Sequence, residues 1–366
     1  MVNNFIESKF CTLYSLANWQ NGLAFKNITF SNSGLPIIKI AELKNGITDQ
    51  TKFTQDKFDN SVFLTKGDML FSWSGNPETS IDTFIYNLPD GWLNQHIFKV
   101  TPKNIDFKYF YYVMKSLNPT FKRIASNKQT TGLGHVTVKD LKEIEIYIPS
   151  HREQQHIVNI LGSIDEKIEN NEQKIAKTKE LMFSIFKDFQ NKLSHQESVQ
   201  LGEYISFIKG RKPSDPKENL LPYLTIDGMN TNNYEYVCSD KMILANEDDI
   251  LMVMDGASSG TIYSGYNGIV GSTLAKLDCS QTDILPLIEQ RLIQMQEKIK
   301  ELNTGSAIPH ANKEFIQSIT ILLSNDEYQH NVIKQLNILK QEILTCRKAN
   351  IKLNKLKTLY LKKFFG

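Results

Sequence analysis

Cysteine is scarce in this 366-residue chain: Cys11, Cys238, Cys279 and Cys346 lie far apart, and no C-x-x-C occurs. Neither a zinc knuckle nor a disulfide framework fits that spacing, so the four read as reduced packing residues and no metal site is expected. No run approaches the roughly 18 apolar residues of a membrane span. The opening residues, Met1-Val2-Asn3-Asn4-Phe5-Ile6-Glu7, lack a basic head followed by an apolar stretch. No membrane association and a cytoplasmic location are expected. The dipeptide Gly-Lys never occurs, which excludes the G-x-x-x-x-G-K-[ST] phosphate loop, and G-x-G-x-x-G is also missing. H-E-x-x-H and H-x-E…P-C-x-x-C are absent, which removes the zinc-protease and deaminase readings.

Charge of one sign is lacking overall, but not locally. The net charge is +2, divided as +3 over residues 1–150, −1 over 151–197, −6 over 198–323 and +6 over 324–366. Any attraction for a polyanion must come from local basic loops rather than from the whole molecule. Hydrophobic residues at 40%, with 20 Phe and 14 Tyr, are too many for a disordered chain and enough for more than one core.

The chain repeats itself. Leu13-x5-Trp19-x2-Gly22 returns as Leu201-x5-Phe207-x2-Gly210, and Leu35-Pro36-Ile37-Ile38 as Leu221-Pro222-Tyr223-Leu224. Gly67-Asp68-Met69-Leu70 is echoed by Asp248-Asp249-Ile250-Leu251, Thr131-Gly132 by Thr304-Gly305, and Gln155-His156 by Gln329-His330. Five echoes in one order mark two copies of one unit. Each copy opens with short apolar runs punctuated by turn residues, read as strands. A helix is expected over 107–125, ending or kinked near Asn118-Pro119, with a counterpart over 285–302.

Each copy closes on a long helix. Ile157, Leu161, Ile164, Ile168, Asn171, Ile175, Thr178, Met182, Ile185 and Phe189 alternate steps of four and three, a coiled-coil seam with one polar residue, Asn171, inside it. The second copy begins the same seam at Val332, Leu336, Leu339 and Ile343. It is expected to slip phase near Cys346 and to resume as Leu353, Leu356 and Tyr360, a stutter. Two such seams predict antiparallel pairing with each other. Asp165 and Glu166 are read as solvated charges on the outer face. Asn118-Pro119-Thr120-Phe121 lacks the second proline of an amino-methyltransferase motif and has no glycine-rich cofactor turn before it, so no catalytic site is expected.

These pieces resemble the specificity (S) subunits of type I restriction-modification systems. The resemblance rests on Gly22-Leu23-Ala24-Phe25-Lys26 before the L-P-I-I strand, on Lys66-Gly67-Asp68-Met69-Leu70, and above all on one longer passage. There Thr130-Thr131-Gly132-Leu133-Gly134-His135-Val136 leads through Ile144-x-Ile146-x-Ile148-Pro149 into Arg152-Glu153-Gln154-Gln155. The second copy is degenerate: Ser324 stands where the proline would, and Asp326-Glu327-Tyr328-Gln329 replaces the first copy's acidic and glutamine run.

The resemblance implies an α+β fold. Two mixed α/β target-recognition domains, 1–150 and 198–323, are joined by two long antiparallel coiled-coil helices, 151–197 and 324–366, as a pseudo-twofold repeat. It implies a non-catalytic DNA-binding subunit in which each domain reads half of a bipartite asymmetric target. The helices would space the domains and dock two methyltransferase subunits, with restriction subunits joining. S-adenosylmethionine, ATP and magnesium would belong to those partners, and no cofactor to this chain. Polar loop residues that could reach base edges, and basic ones that could meet phosphates, are Lys26, Ser74, Asn76, Thr130, Thr131 and His135 in the first copy. In the second they are Lys209, Arg211, Lys212, Asp255, Ser258, Ser259, Thr304, Ser306 and His310. Trp73 and Trp92 are assigned to the core. The competing class is a coiled-coil protein-interaction scaffold without DNA, which the acidic second globule favours.

Overall fold

The computed structural model describes residues 9–25, 28–129, 132–193, 195–196, 198–213, 220–304 and 309–366. They form two compact units, one of the described residues within 9–166 and 354–366, the other of those within 167–353.

In the first unit a four-stranded antiparallel sheet runs in the order Ala17–Asn21, Ile97–Pro102, Met69–Ser72, Asp82–Ile85. Its inner face packs Met69, Phe71, Phe98 and Val100 against Phe110, Val113 and Phe121. A second four-stranded sheet pairs Leu35–Ile38 in parallel with Gly91–Leu93, and Phe53–Thr54 and Phe63–Leu64 flank them. The expected helix is kinked where proline demanded it. Phe107–Ser116 starts under an Asp106 cap, whose carboxylate accepts from the Tyr109 amide at 2.8 Å, and Asn118–Asn127 restarts with Pro119 in its first turn. There the missing N–H costs no hydrogen bond.

The second unit repeats this topology. Its sheets run Ile205–Lys209, Leu274–Cys279, Ile250–Val253, Ile262–Ser264 and Tyr236–Cys238, Leu220–Leu224, Gly268–Val270, Leu244–Ala245. Strand registers fix which positions correspond. Lys99 pairs with Leu70 and Lys276 with Leu251, so the strand after the turn shifts by 177 positions between copies. Thr12 pairs with Glu145 and Gln200 with Thr320, a shift of 175 that carries into the long helices. The equivalent of Gln329 is therefore Gln154, one residue from the echo read in the sequence. Both are buried and tie the helix start to the preceding chain: Gln154 Nε2 donates to Pro149 O at 2.9 Å, and Gln329 Oε1 accepts from Ser324 N at 2.8 Å.

The aspartate of the repeated G-D and D-D pairs has the same structural role in both units. Asp68 accepts from Thr65 N and pairs with Lys99, each at 2.8 Å; Asp249 accepts from Asn246 N and pairs with Lys276, also at 2.8 Å. Gly22 and Gly210 are equally constrained. A Cβ on Gly22 would lie 2.1 Å from Asn94 O, and one on Gly210 would lie 2.2 Å from Gly271 O, so the backbones can approach this closely only without a side chain.

The long helices are His151–Lys192 and Glu327–Phe365. Within the second unit they pair antiparallel: Phe189 meets Tyr328, Lys174 and Thr178 meet Glu342, and Asn171 meets Asn350. Ile157, Leu161, Ile164, Thr178, Met182 and Phe189 are buried as the seam predicts, and Ile168, Asn171, Ile175 and Ile185 are half-buried. In the other helix Val332, Leu336 and Ile343 are buried and Leu339 is half-buried.

The expected stutter is absent. The four-three alternation continues unbroken from Ile343 through Cys346, Asn350, Leu353, Lys357 and Tyr360, all buried or half-buried, while Leu356 is exposed. Two polar residues hold seam positions and conceal the phase. Asn350 Oδ1 accepts from Asn171 Nδ2 at 2.7 Å, and Lys357 reaches Asp165 at 2.5 Å. Asp165 is thus not the solvated outer charge expected of it, since its other oxygen accepts from the Tyr112 hydroxyl at 2.8 Å.

Candidate nucleic-acid interface

Beyond the end of each first sheet, four chain segments meet in one main-chain frame. In the first unit Gly22 N donates to Ile97 O (3.1 Å), Trp73 N to His96 O (3.2 Å) and Val136 N to Trp73 O (2.8 Å). In the second, Gly210 N donates to Leu274 O (2.9 Å), Met254 N to Thr273 O (2.8 Å) and Ala311 N to Met254 O (2.9 Å). His135 pairs across from Ser74, and His310 across from Asp255. The frame makes five pairs of positions equivalent: Asn21 with Lys209, Trp73 with Met254, Ser74 with Asp255, His96 with Thr273, and His135 with His310. One histidine recurs; the other four side chains differ.

The differences change the chemistry. In the first unit the half-buried Trp73 indole donates to Asn21 Oδ1 at 3.0 Å, with ring centroids 5.5 Å from His96 and 6.0 Å from His135. Ser74 is buried, and its hydroxyl bonds His135 Nδ1 at 2.8 Å. Partial burial, and then the neighbouring His135, lower the His96 pKa and favour its neutral form. In the second unit Asp255 replaces that serine. Its carboxylate meets Lys209 Nζ at 2.7 Å on one oxygen and His310 Nδ1 at 2.7 Å on the other. Burial raises the Asp255 pKa, but Lys209 and His310 outweigh it and hold the carboxyl below its ordinary value.

The structure therefore brings together Ser74 with His135, and Lys209 with Asp255 and His310. Thr304 joins the second group through reciprocal main-chain bonds with His310 at 2.9 and 2.7 Å. Asn76 is exposed just beyond Ser74 and caps the short helix Pro77–Ser80, accepting from Glu78 N at 3.0 Å. Arg211 and Lys212 are exposed beyond Lys209 and, among the described residues, form no ion pair. Ser258 is exposed.

Two assignments need correction. Ser74 and Ser259 are buried, so neither presents its hydroxyl to a base edge here; Ser259 Oγ instead stitches the turn, donating toward Gly256 O (2.6 Å) and Pro309 O (2.9 Å). Trp73 is half-buried and packs against the core as expected, its ring centroid 5.7 Å from that of Phe98, while its indole N–H also joins this cluster; Trp92 is buried as expected. Lys26, Thr130, Thr131 and Ser306 lie outside the described residues.

Asn21, Trp73 and His96 escape a motif search because each differs from its counterpart; the strand registers, not the residue types, reveal them. Gly256-Ala257-Ser258-Ser259-Gly260 also satisfies the G-x-S-x-G spacing of a hydrolase nucleophile elbow. That elbow requires a strand-to-helix turn. Here Ile250–Val253 leads into another strand, Ile262–Ser264, and among the described residues no histidine bonds Ser258. Among the described residues no cluster of His, Cys, Asp and Glu could hold a metal ion, and no helix is long and apolar enough to cross a membrane.

The sequence is 33% identical over 178 residues to the type I restriction enzyme MjaVIII specificity subunit of Methanocaldococcus jannaschii. That match covers 46% of this chain and 41% of the relative's length. A Mycoplasma genitalium protein named as a type I specificity subunit, S.MgeORF438P, is 25% identical over 284 residues, 72% of each chain. The fold matches the crystal structure of a type I restriction-modification S subunit from M. genitalium with a TM-score of 0.56 at 20% identity, covering all of this chain and 98% of that one. A sequence model of the type I restriction modification DNA specificity domain matches twice, over residues 6–180 and 194–354. Two copies of that domain, folded with one topology, make this chain a member of the type I restriction-modification DNA specificity subunit family, with two recognition domains.

Proposed function

We propose that this chain is the DNA-reading, non-catalytic subunit of a type I restriction-modification complex, and that each unit reads one half of a bipartite asymmetric target. The observation that carries this reading is the shared frame with divergent side chains. Asn21, Trp73 and His96 face one half-site, and Lys209, Asp255 and Thr273 face the other, while the buried Ser74 and Met254 lie behind them. A constant scaffold gives both units the same approach to a duplex, and different side chains give them different base preferences. His135 and His310 stand at the centre of each cluster, Asn76, Ser258 and Thr304 reach base edges or sugar, and the exposed Arg211 and Lys212 neutralise phosphates.

The acidic balance of 198–323 does not decide against this reading: Asp249 and Asp255 are held locally by Lys276 and Lys209, which that balance already counts, and Glu289 by Lys340 from outside the span. In this reading the long helices space the units and dock two methyltransferase subunits, and restriction subunits complete the assembly in the cytoplasm. S-adenosylmethionine, ATP and magnesium are held by those partners. Mapping N6-methyladenine in a strain with and without this gene tests the proposal. A bipartite methylated sequence should vanish with the gene; an unchanged methylome would refute it.

A further inference from the structure

We propose that Asp255 reads a cytosine, accepting a hydrogen bond from its N4 amino group in the major groove. This inference rests on the DNA-reading function above and names what one residue of that site recognises. An anionic side chain in a DNA-binding cluster is costly unless something compensates for its repulsion by phosphates. Here Lys209 and His310 hold the carboxylate from two sides at 2.7 Å. Among the described residues they are its only side-chain partners, and each engages one lone pair of a different oxygen, leaving one on each. The side chain is 23% exposed, enough to reach a ligand but too little to swing away.

Such a group can only accept. The donors on the major-groove floor are the amino groups of cytosine and adenine. Beside the adenine amino group lies N7, an acceptor that repels a carboxylate; cytosine presents its donor without one. Asparagine inverts this preference, since its amide can donate to N7 while accepting from N6.

Three outcomes decide the matter. The complex of this chain with its methyltransferase subunits is used to select duplexes from a randomised pool, and the half-site of the second unit is identified by replacing residues 198–323. Wild type should require cytosine at one position of that half-site. Substituting a pyrimidinone that lacks the 4-amino group there should weaken binding about tenfold or more. Asp255→Asn should lose that sensitivity and move the preference at the same position from cytosine to adenine, leaving the other half-site unchanged. An Asp255→Asn complex that still requires the same cytosine, or a wild type indifferent to the amino group, overturns the assignment while leaving DNA reading intact. A wild-type complex that selects no sequence overturns the DNA-reading function itself.

Discussion

The two units place different chemistry at the same point of the same scaffold. In the second, the globule helix Leu285–Glu301 meets the long helix through Glu289 and Lys340, an ion pair at 2.9 Å with side chains 7% and 9% exposed. The equivalent positions in the first unit, shifted by 177 and 175, are Tyr112 and Asp165, joined by a hydrogen bond at 2.8 Å and served by Lys357. One junction is a buried ion pair; the other is a phenol on a carboxylate with a cation alongside. The scaffold specifies that something polar and satisfied must join helix to globule there, and leaves open which chemistry does so. The same division recurs at the two candidate-interface clusters, where the frame is constant and the side chains diverge.

The junctions can be broken separately, and the buried pair should fail harder. Lys340→Met strands Glu289 as a buried charge, with an expected loss of about 3–5 kcal/mol in urea unfolding. Adding Glu289→Leu should recover most of it, since an apolar replacement of both partners removes the stranded charge. If the single variant were as stable as wild type, the two junctions would not differ in the way their burial implies.

Asn171→Leu leaves the half-buried Asn350 amide without its partner and should cost about 1–2 kcal/mol in thermal unfolding. Asn171→Leu with Asn350→Leu should regain that stability while losing the polar contact that selects the register. Tyr112→Phe removes one hydrogen bond to a carboxylate that keeps Lys357 and partial solvent contact. About 1 kcal/mol is expected, well below the Lys340 effect. Equal losses from Tyr112→Phe and Lys340→Met would erase the distinction drawn between the units.

The smallest effect concerns acid stability. Asp140 in the first unit and Asp255 in the second are both raised by burial but held below the ordinary carboxylate value by stronger opposing contacts, Lys128 and Thr137 for the former, Lys209 and His310 for the latter. A depressed folded pKa stabilises the native state above the unfolded value of about 3.9, and that contribution is lost as pH falls through the folded pKa. Asp140→Asn and Asp255→Asn should each flatten the stability curve below about pH 4, the nearly buried Asp140 more than the partly exposed Asp255. A curve unchanged below that pH would show that these contacts do not survive in solution.

Much of this architecture was legible in the sequence, and the misses have physical causes. Ordered echoes located the repeat, Pro119 the kink, and apolar periodicity the seam from Ile157 to Phe189. Periodicity failed beyond Ile343 because Asn350 and Lys357 occupy seam positions and satisfy partners, Asn171 and Asp165, that lie nearly two hundred residues away in the chain. For the same reason Asp165 was misread as solvated, since nothing near it in sequence shows that Tyr112 and Lys357 converge on it. At the interface, Asp255 and His310 stood out as polar turn residues, but Ser74 and Ser259 were equally polar and proved buried. Residue type cannot distinguish a hydroxyl that closes a turn from one that faces a ligand. Asn21 and His96 escape a motif search, and Trp73 reads only as core, because each differs in residue type from its counterpart, Lys209, Thr273 or Met254.

The central claim is that the units read DNA independently on a shared scaffold. It is tested most directly by replacing residues 198–323 with the corresponding domain of another specificity subunit and mapping the methylated sequence. The account predicts that one half of the sequence changes while the half assigned to Asn21, Trp73, His96 and His135 stays as it was. A change in both halves, in an active complex, would contradict it.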